Sequence, residues 1–308
     1  MSGQPVVVAV QASIGATPHH GAVLADVAGE PALGLVLRRL EPLRALTGAE
    51  LAVVTTDAAA DDAIAAIAAE RDVRAVRGPT GDPLQGLAIA MVRLGAETMV
   101  LVGADGPFAD PYVVQAALAL HAGAGADHTS NLLPRSYPRG LDVEVVSKRA
   151  LGACEIEITD PVERRSPGAH LRRHPQRFRL ANLLSGHGLA GERWVIDSTA
   201  DLQRVREVAG QVPDLHTASW NRILSVAGRA AKPRPGELRL EPEPASEPGA
   251  YPWTCRWAVV VDGDRKGTAT ATTADGQVRH EVDVPEAWRE PARAALYRLL
   301  HGDTDPRS

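Results

Sequence analysis

The chain reads as an α/β protein: a doubly wound, mainly parallel sheet with a β-rich insertion, plus a small C-terminal α+β domain. Three observations predict this. Short apolar strands alternate with stretches of helical periodicity from Pro5 to Ala122. After Ala126 the pattern breaks into short runs punctuated by Pro, Arg and Gly, and a hairpin-rich stretch then follows a segment dense in Pro and Glu. Strand-helix alternation marks right-handed βαβ units, whose sheets collect ligands at the carboxyl ends of their strands, where strand order switches.

The elements follow in order. Pro5 to Gln11 is an apolar, β-branched run suited to a strand buried on both faces, and Pro31 to Leu46 shows apolar residues at helical spacing. Leu51–Thr55, Val73–Arg77 and Thr98–Val102 read as further strands, with helices at Asp61–Glu70, Pro83–Leu94 and Pro111–Ala122. The segments ending at Gln11, Thr55 and Val102 are therefore those whose following loops matter. Leu141–Ser147 and Phe178–Leu183 are short strands of the insertion. A last strand, Trp194–Asp197, and helices Ala200–Ala209 and His216–Arg229 complete the first domain, residues 1–231.

Residues 232–252, with their Pro, Glu and Gly, read as a linker. Beyond it, residues 253–308 predict a three-stranded meander (Thr254–Val261, Gly267–Thr273, Val278–Val284) with turns at Asp262-Gly263-Asp264 and Ala274-Asp275-Gly276, then a helix from Pro285 to about Leu300. That order faintly resembles the later part of an acetyltransferase fold. The glycine-rich turn that would hold a coenzyme pyrophosphate is replaced by Arg289-Glu290-Pro291, which favours a docking or dimerising module.

With 308 residues, 44% of them hydrophobic and 23% charged, the chain can build a large and a small core. A net charge of -5 lacks the basic footprint of nucleic-acid binding. No run approaches a membrane span, and the start of the chain enters an apolar strand without a basic leader, so a cytoplasmic protein is expected. Cys154 and Cys255 are too few and too distant for a disulfide framework or metal knuckle.

Two carboxylates stand at strand ends. Asp105 lies in Gly103-Ala104-Asp105-Gly106-Pro107, and Asp197 precedes Ser198-Thr199-Ala200-Asp201. Magnesium takes one or two protein carboxylates and completes its octahedron with water and phosphate, so both are candidate catalytic and metal-binding residues. For Asp197 the competing reading is a helix N-cap.

Several segments in order carry a resemblance: Thr55-Thr56-Asp57, Asp61-Asp62 with Ile64-Ala65, Asp105 to Pro111, Ser130-Asn131, Pro134 to Val145, Asp160-Pro161, His174 to Asn182, and Asp197 to Leu202. Across about residues 5 to 210 the chain resembles the spore-coat-polysaccharide type of cytidylyltransferase, relatives of the synthetases that join CMP to acidic sugars. The resemblance implies a nucleotidyltransferase-type fold, magnesium at Asp105 and Asp197, and transfer of CMP with release of pyrophosphate. It places Arg135, Arg139, Asp142 and Glu144 at the acceptor-sugar pocket, and it implies a homodimer, with Leu141–Val146 as a candidate interface strand.

The departures fall in the loop after the first strand, where the family carries two Arg and a Lys that grip the triphosphate. Here Gln11-Ala12-Ser13-Ile14-Gly15-Ala16-Thr17-Pro18-His19-His20-Gly21-Ala22 puts Ser13, Pro18 and Ala22 at the basic positions and Ala16 at a hydroxyl position. Leu101 and Gly86 stand where the family usually has Arg, and Arg165-Ser166 where it has Glu-His. Gln11, Ala12, Gly15, His19 and His20 remain the candidate nucleotide-binding residues. Losing one donor to a developing charge costs on the order of 10²- to 10³-fold in rate, so three losses predict lost or altered CTP chemistry. Three readings stay open: that altered protein acting on another acidic metabolite, an active cytidylyltransferase in which His19, His20, Arg77 or Arg135 replace the lost cations, and a non-catalytic binding or scaffold protein.

Overall fold

The structure is a computed structural model and describes residues 5–15, 19–185, 189–230, 238–242, 254–261, 264–274 and 277–301. Its main sheet has seven strands in the order β5-β4-β1-β6-β8-β7-β9. Strand β1 (Val6–Gln11), third in that order, is flanked by β4 (Glu50–Thr56) and β6 (Thr98–Gly103) in parallel register, with Val8 opposite both Leu51 and Val100. The hairpin of β2 (Asp26–Val27) and β3 (Glu30–Pro31) precedes helix α1 (Ala32–Leu40). Helix α2 (Leu43–Thr47) follows, so the single helix expected over 31–46 is two, broken at Glu41-Pro42, where proline cannot supply the next helical N–H. Helix α3 (Asp62–Ala69) and strand β5 (Arg74–Gly78) form one edge. Helices α4 (Pro83–Arg93) and α5 (Pro111–Ala124) each start with proline at the first position and an aspartate cap, Asp82 and Asp110.

Alternation along β1 makes two cores. Val8 and Val10 pack with Leu33, Leu37, Ile64 and Val114 on one face; Val7 and Ala9 pack with Leu84, Leu87 and Met91 on the other. Both faces are covered, and this is why the strand reads as an unbroken apolar run rather than an alternating one.

The insertion departs from expectation in three ways. Besides β7 (His128–Ser130), β8 (Glu144–Ser147) and β9 (Leu180–Asn182), it holds two helices, α6 (Lys148–Glu157) and α7 (Pro167–Arg173). Strand β8 is no interface strand: it runs antiparallel between β6 and β7, hydrogen-bonded on both edges, with Val145 and Val146 buried. Trp194–Asp197 is not a strand either. It is an irregular segment, bent at Val195 and Asp197, that follows one isolated bridge, Arg193 to Arg139, and threads Trp194 into the core against Phe108. Helices α8 (Thr199–Gly210) and α9 (Trp220–Ala230) follow.

Beyond them, β10 (Leu238–Pro242), β11 (Thr254–Val261), β12 (Asp264–Ala274) and β13 (Gln277–Asp283) form a separate four-stranded antiparallel sheet on which α10 (Glu286–His301) packs. The segment read as linker thus contributes an edge strand, whose alternating Leu238 and Leu240 pair with Val261 and Val259. The turn residues Asp262-Gly263 and Asp275-Gly276 lie outside the described residues.

Candidate functional site

Three chain segments cross at the carboxyl ends of β1 and β6. The turn after β6 is tied to β1 by the Ala104 N–H donating to the Gln11 carbonyl, 3.0 Å. The Ile196 N–H donates to the Asp105 carbonyl (2.9 Å), the Trp194 N–H to the Arg139 carbonyl (2.7 Å), and the Arg139 N–H to the Glu192 carbonyl (2.9 Å). Two glycines permit this closeness. A Cβ on Gly106 would overlap the Gly140 backbone, and one on Gly140, whose φ is +100°, would stand 2.5 Å from the Trp194 carbonyl oxygen. The crossing brings Asp105, Arg139, Asp142 and Asp197 to one place although they span more than ninety residues of sequence.

Behind the crossing sits Arg39, a fully buried arginine on α1. It donates to the carbonyls of Phe108, Ala109, Leu215 and Ala218 and lies 4.0 Å from Asp110. Asp110 in turn accepts the N–H groups of Tyr112, Val113 and Trp220. One guanidinium thereby staples the segment after Asp105 to the approach to α9; nothing in the sequence marks Arg39 for that role.

At the crossing Asp105 makes no ion pair among the described residues, and its carboxyl is met by its own backbone N–H. Burial, with the neighbouring Asp197 and Asp142 charges, pushes its carboxyl up to about 6. Asp197 pairs with Arg193 at 3.1 Å. It is not the helix cap: Ser198 is, its hydroxyl oxygen accepting the Asp201 N–H at 3.1 Å. Arg135 and Asp142 form a bidentate ion pair, with the second bond at 2.9 Å, so each satisfies the other. Arg139 makes no ion pair among the described residues and is partly exposed.

Glu144 stands apart from this group. It accepts from His128 Nε2 at 2.8 Å and from Arg172 Nη1 at 2.7 Å, and its carboxylate fills the space where Gly168 lacks a side chain. Although burial works against ionisation, Arg172 and His128 hold its pKa down at about 2. Burial keeps His128 neutral, its pKa below the usual value.

The loop after β1 is built differently. Gln11 ends the strand between Val54 and Gly103, and the buried Ala12 donates its N–H to the Val54 carbonyl, 3.0 Å. Then the chain turns onto Asp61, a buried carboxylate at the entrance of α3. Asp61 accepts the Ile14 N–H (2.9 Å), the Thr56 hydroxyl (2.5 Å) and a hydrogen bond from the Ser13 side chain, and these hold it ionised below the usual range against the cost of burial. Gly15 is exposed; Ala16, Thr17 and Pro18 lie outside the described residues. The loop is closed by the Gly21 N–H on the Ile14 carbonyl at 3.1 Å, and the His19 carbonyl accepts from Ala22. His20 is exposed and His19 partly so. Ala22 is 1% exposed and packs in the core.

The other family positions are equally committed. Leu101 is core, and Gly86 sits against Gly78 so closely that a Cβ on Gly78 would overlap it. Arg77 is paired with Asp62 at 2.6 Å.

The residues present suit a hard divalent cation in one respect: Asp105 is a buried carboxylate in like-charge company without a counter-cation, and oxygen donors favour magnesium or manganese. Among the described residues no three His, Cys, Asp or Glu side chains converge as a metal site. Asp105 and Asp197 would therefore give two ligands, the others coming from water and a bound ligand. Among the described residues no helix is long and apolar enough to cross a membrane.

Comparison with known proteins points to the same fold. Residues 23–150 match the MobA-like NTP transferase domain. The chain is 22% identical over 233 residues to the spore coat polysaccharide biosynthesis protein SpsF of Bacillus subtilis, covering 73% of this chain and 96% of that one. A cytidylyltransferase structure from Leptospira borgpetersenii superposes with a TM-score of 0.70 at 20% identity, over 74% of this chain and 95% of that one. The chain is thus similar to a MobA-like NTP transferase domain over residues 23–150, its fold is like that of a cytidylyltransferase, and the resemblance read from the sequence stands.

Proposed function

We propose that this is a nucleotidyltransferase-type protein of sugar-nucleotide biosynthesis whose ordinary CTP chemistry is lost or altered, and whose crossing site binds a small acidic metabolite with magnesium. The observation that carries the proposal is the fate of the first loop. Ser13 is bonded to Asp61 and Ala22 is buried in the core, so two of the family's three triphosphate-gripping positions are turned to structural use. A charge-assisted hydrogen bond is worth about 1.5 to 3 kcal/mol, and no arginine or lysine occupies the loop to supply one. Gln11, Ala12, Gly15, His19 and His20 would then shape the mouth of the site rather than hold three phosphates.

On the acceptor side, Arg139 meets the ligand's carboxylate, Arg135 and Asp142 stiffen the wall, and Asp105 and Asp197 face the cation. A cation there would neutralise charge on the ligand and polarise its oxygens. Glu144, bound to His128 and Arg172, acts from behind the site. We further take the protein to be a cytoplasmic homodimer with a nucleotidyltransferase-like domain at 1–231 and a C-terminal module, which includes the strand at 238–242, that serves docking; sedimentation and limited proteolysis test these assignments.

A second reading, an active cytidylyltransferase, is favoured by the uncompensated Asp105 carboxylate beside Asp197. Pyrophosphate release from CTP, measured with magnesium and a panel of sugar acids, separates the two. Background release throughout is the expected result; release that depends on an acceptor and disappears in Asp105→Ala establishes the second.

A further inference from the structure

Arg193 holds two aspartates unequally. Its Nε and Nη2 meet Asp201 Oδ1 and Oδ2 at 3.0 and 3.1 Å, a planar fork. Asp201 is held further by the Ser198 hydroxyl (2.9 Å) and the Asp197 N–H (3.3 Å), and its side chain is 14% exposed. Asp197, at 35% exposure, meets Arg193 through one contact of 3.1 Å, made by the same Nη2 that already serves Asp201. The fork is therefore an anchor and the Asp197 contact a bond that can be surrendered without displacing the arginine. Arg193 is also the partner of Arg139 in an isolated parallel bridge, which brings the two residues side by side at the crossing.

From this geometry we infer that Arg193 is a positioning residue that guards the carboxylate pair: it occupies Asp197 in the ligand-free protein and releases it to a divalent cation arriving with an anionic ligand. Once released, its Nη2 stands beside Arg139 as a second donor to that anion. This arrangement supplies, from the far side of the site, positive charge that the loop after β1 lacks. The inference rests on Asp105 and Asp197 forming the cation site and is independent of any turnover of CTP.

The test is titration of the intact chain with manganese alone, reading free ion by electron paramagnetic resonance, with far-ultraviolet circular dichroism as a check on folding. Competition from an exposed ion pair is modest, so Arg193→Gln is expected to bind manganese about five- to tenfold more tightly than the wild type. Asp201→Asn, which weakens the fork and shifts Arg193 towards Asp197, is expected to bind several-fold more weakly. Inorganic phosphate is expected to tighten manganese binding in the wild type more than in Arg193→Gln. Unchanged or weaker binding in Arg193→Gln, with binding still abolished by Asp105→Ala, overturns the guard while leaving the cation site intact. Binding indifferent to Asp105→Ala, or absent from every variant, overturns the cation site and the guard with it. Should Arg193→Gln fail to fold, Asp201→Asn decides, since unchanged affinity there contradicts the guard.

Discussion

Two regions of the molecule meet at the carboxyl ends of β1 and β6 and are built in opposite ways. The crossing of residues 103–106, 139–142 and 194–197 is over-determined: backbone hydrogen bonds join its segments, two glycines have no room for a side chain, and a buried arginine staples the segment behind it. The loop after β1 is held at its ends, by Asp61 and by the Gly21 N–H on the Ile14 carbonyl, and its exposed Gly15 has open space around it. A site assembled from packed backbone changes slowly because each change must clear three segments. A loop that contributes charges can lose them one at a time without cost to folding.

This contrast can be broken first at the crossing. Gly140→Ala places a Cβ against the Trp194 backbone at a φ that side chains avoid, and should cost roughly 2–4 kcal/mol in denaturant unfolding. Asp61→Ala should cost less, about 1–3 kcal/mol, by leaving the Ile14 N–H and the Ser13 and Thr56 hydroxyls without their acceptor. A loss as large as that of Gly140→Ala would mean that the loop is as integral to the fold as the crossing.

Behind the site, the Glu144 carboxyl is held at about 2 against an ordinary 4.5. Its stabilisation is complete above pH 4.5 and is lost as pH falls through 2, because the unfolded chain takes up the proton first. His128 acts in the same direction, since it is held neutral in the fold and gains a proton on unfolding below its usual 6.5. Melting temperature should therefore fall steeply between pH 4.5 and 2. The slope should shrink in Glu144→Gln, which is also less stable near neutrality because Arg172 and His128 then donate to a neutral amide oxygen in place of a carboxylate. At the small end, Gly15→Ala should change stability by no more than about 0.5 kcal/mol.

Much of the fold was legible because its signals are periodic. The strands at Val6–Gln11, Glu50–Thr56 and Thr98–Gly103 are buried on both faces and so appear as apolar runs. Helix α6 escaped notice because only Ala150, Leu151 and Cys154 are buried in ten residues otherwise mostly polar. Trp194–Ile196 looks like a strand for the same reason that it is buried; what it lacks, a neighbour along its whole length, is a tertiary fact.

Of the candidate site residues, Asp105 and Asp197 stand out in the sequence because they follow apolar segments. Arg193 does not, since its partners at 197 and 201 declare themselves only once the chain bends into α8. Glu144 sits in the same motif as Arg139 and Asp142, yet its partners His128 and Arg172 come from β7 and α7, which sequence order does not bring together.

The most direct test is calorimetric titration of the full chain with CTP and magnesium, with Asp105→Ala and the other three nucleoside triphosphates as controls. A protein that has given up the triphosphate grip should show no saturable CTP binding while remaining folded. Saturable binding that is selective for CTP and lost in Asp105→Ala would contradict that claim and establish that the loop has been rebuilt to hold the nucleotide by other means.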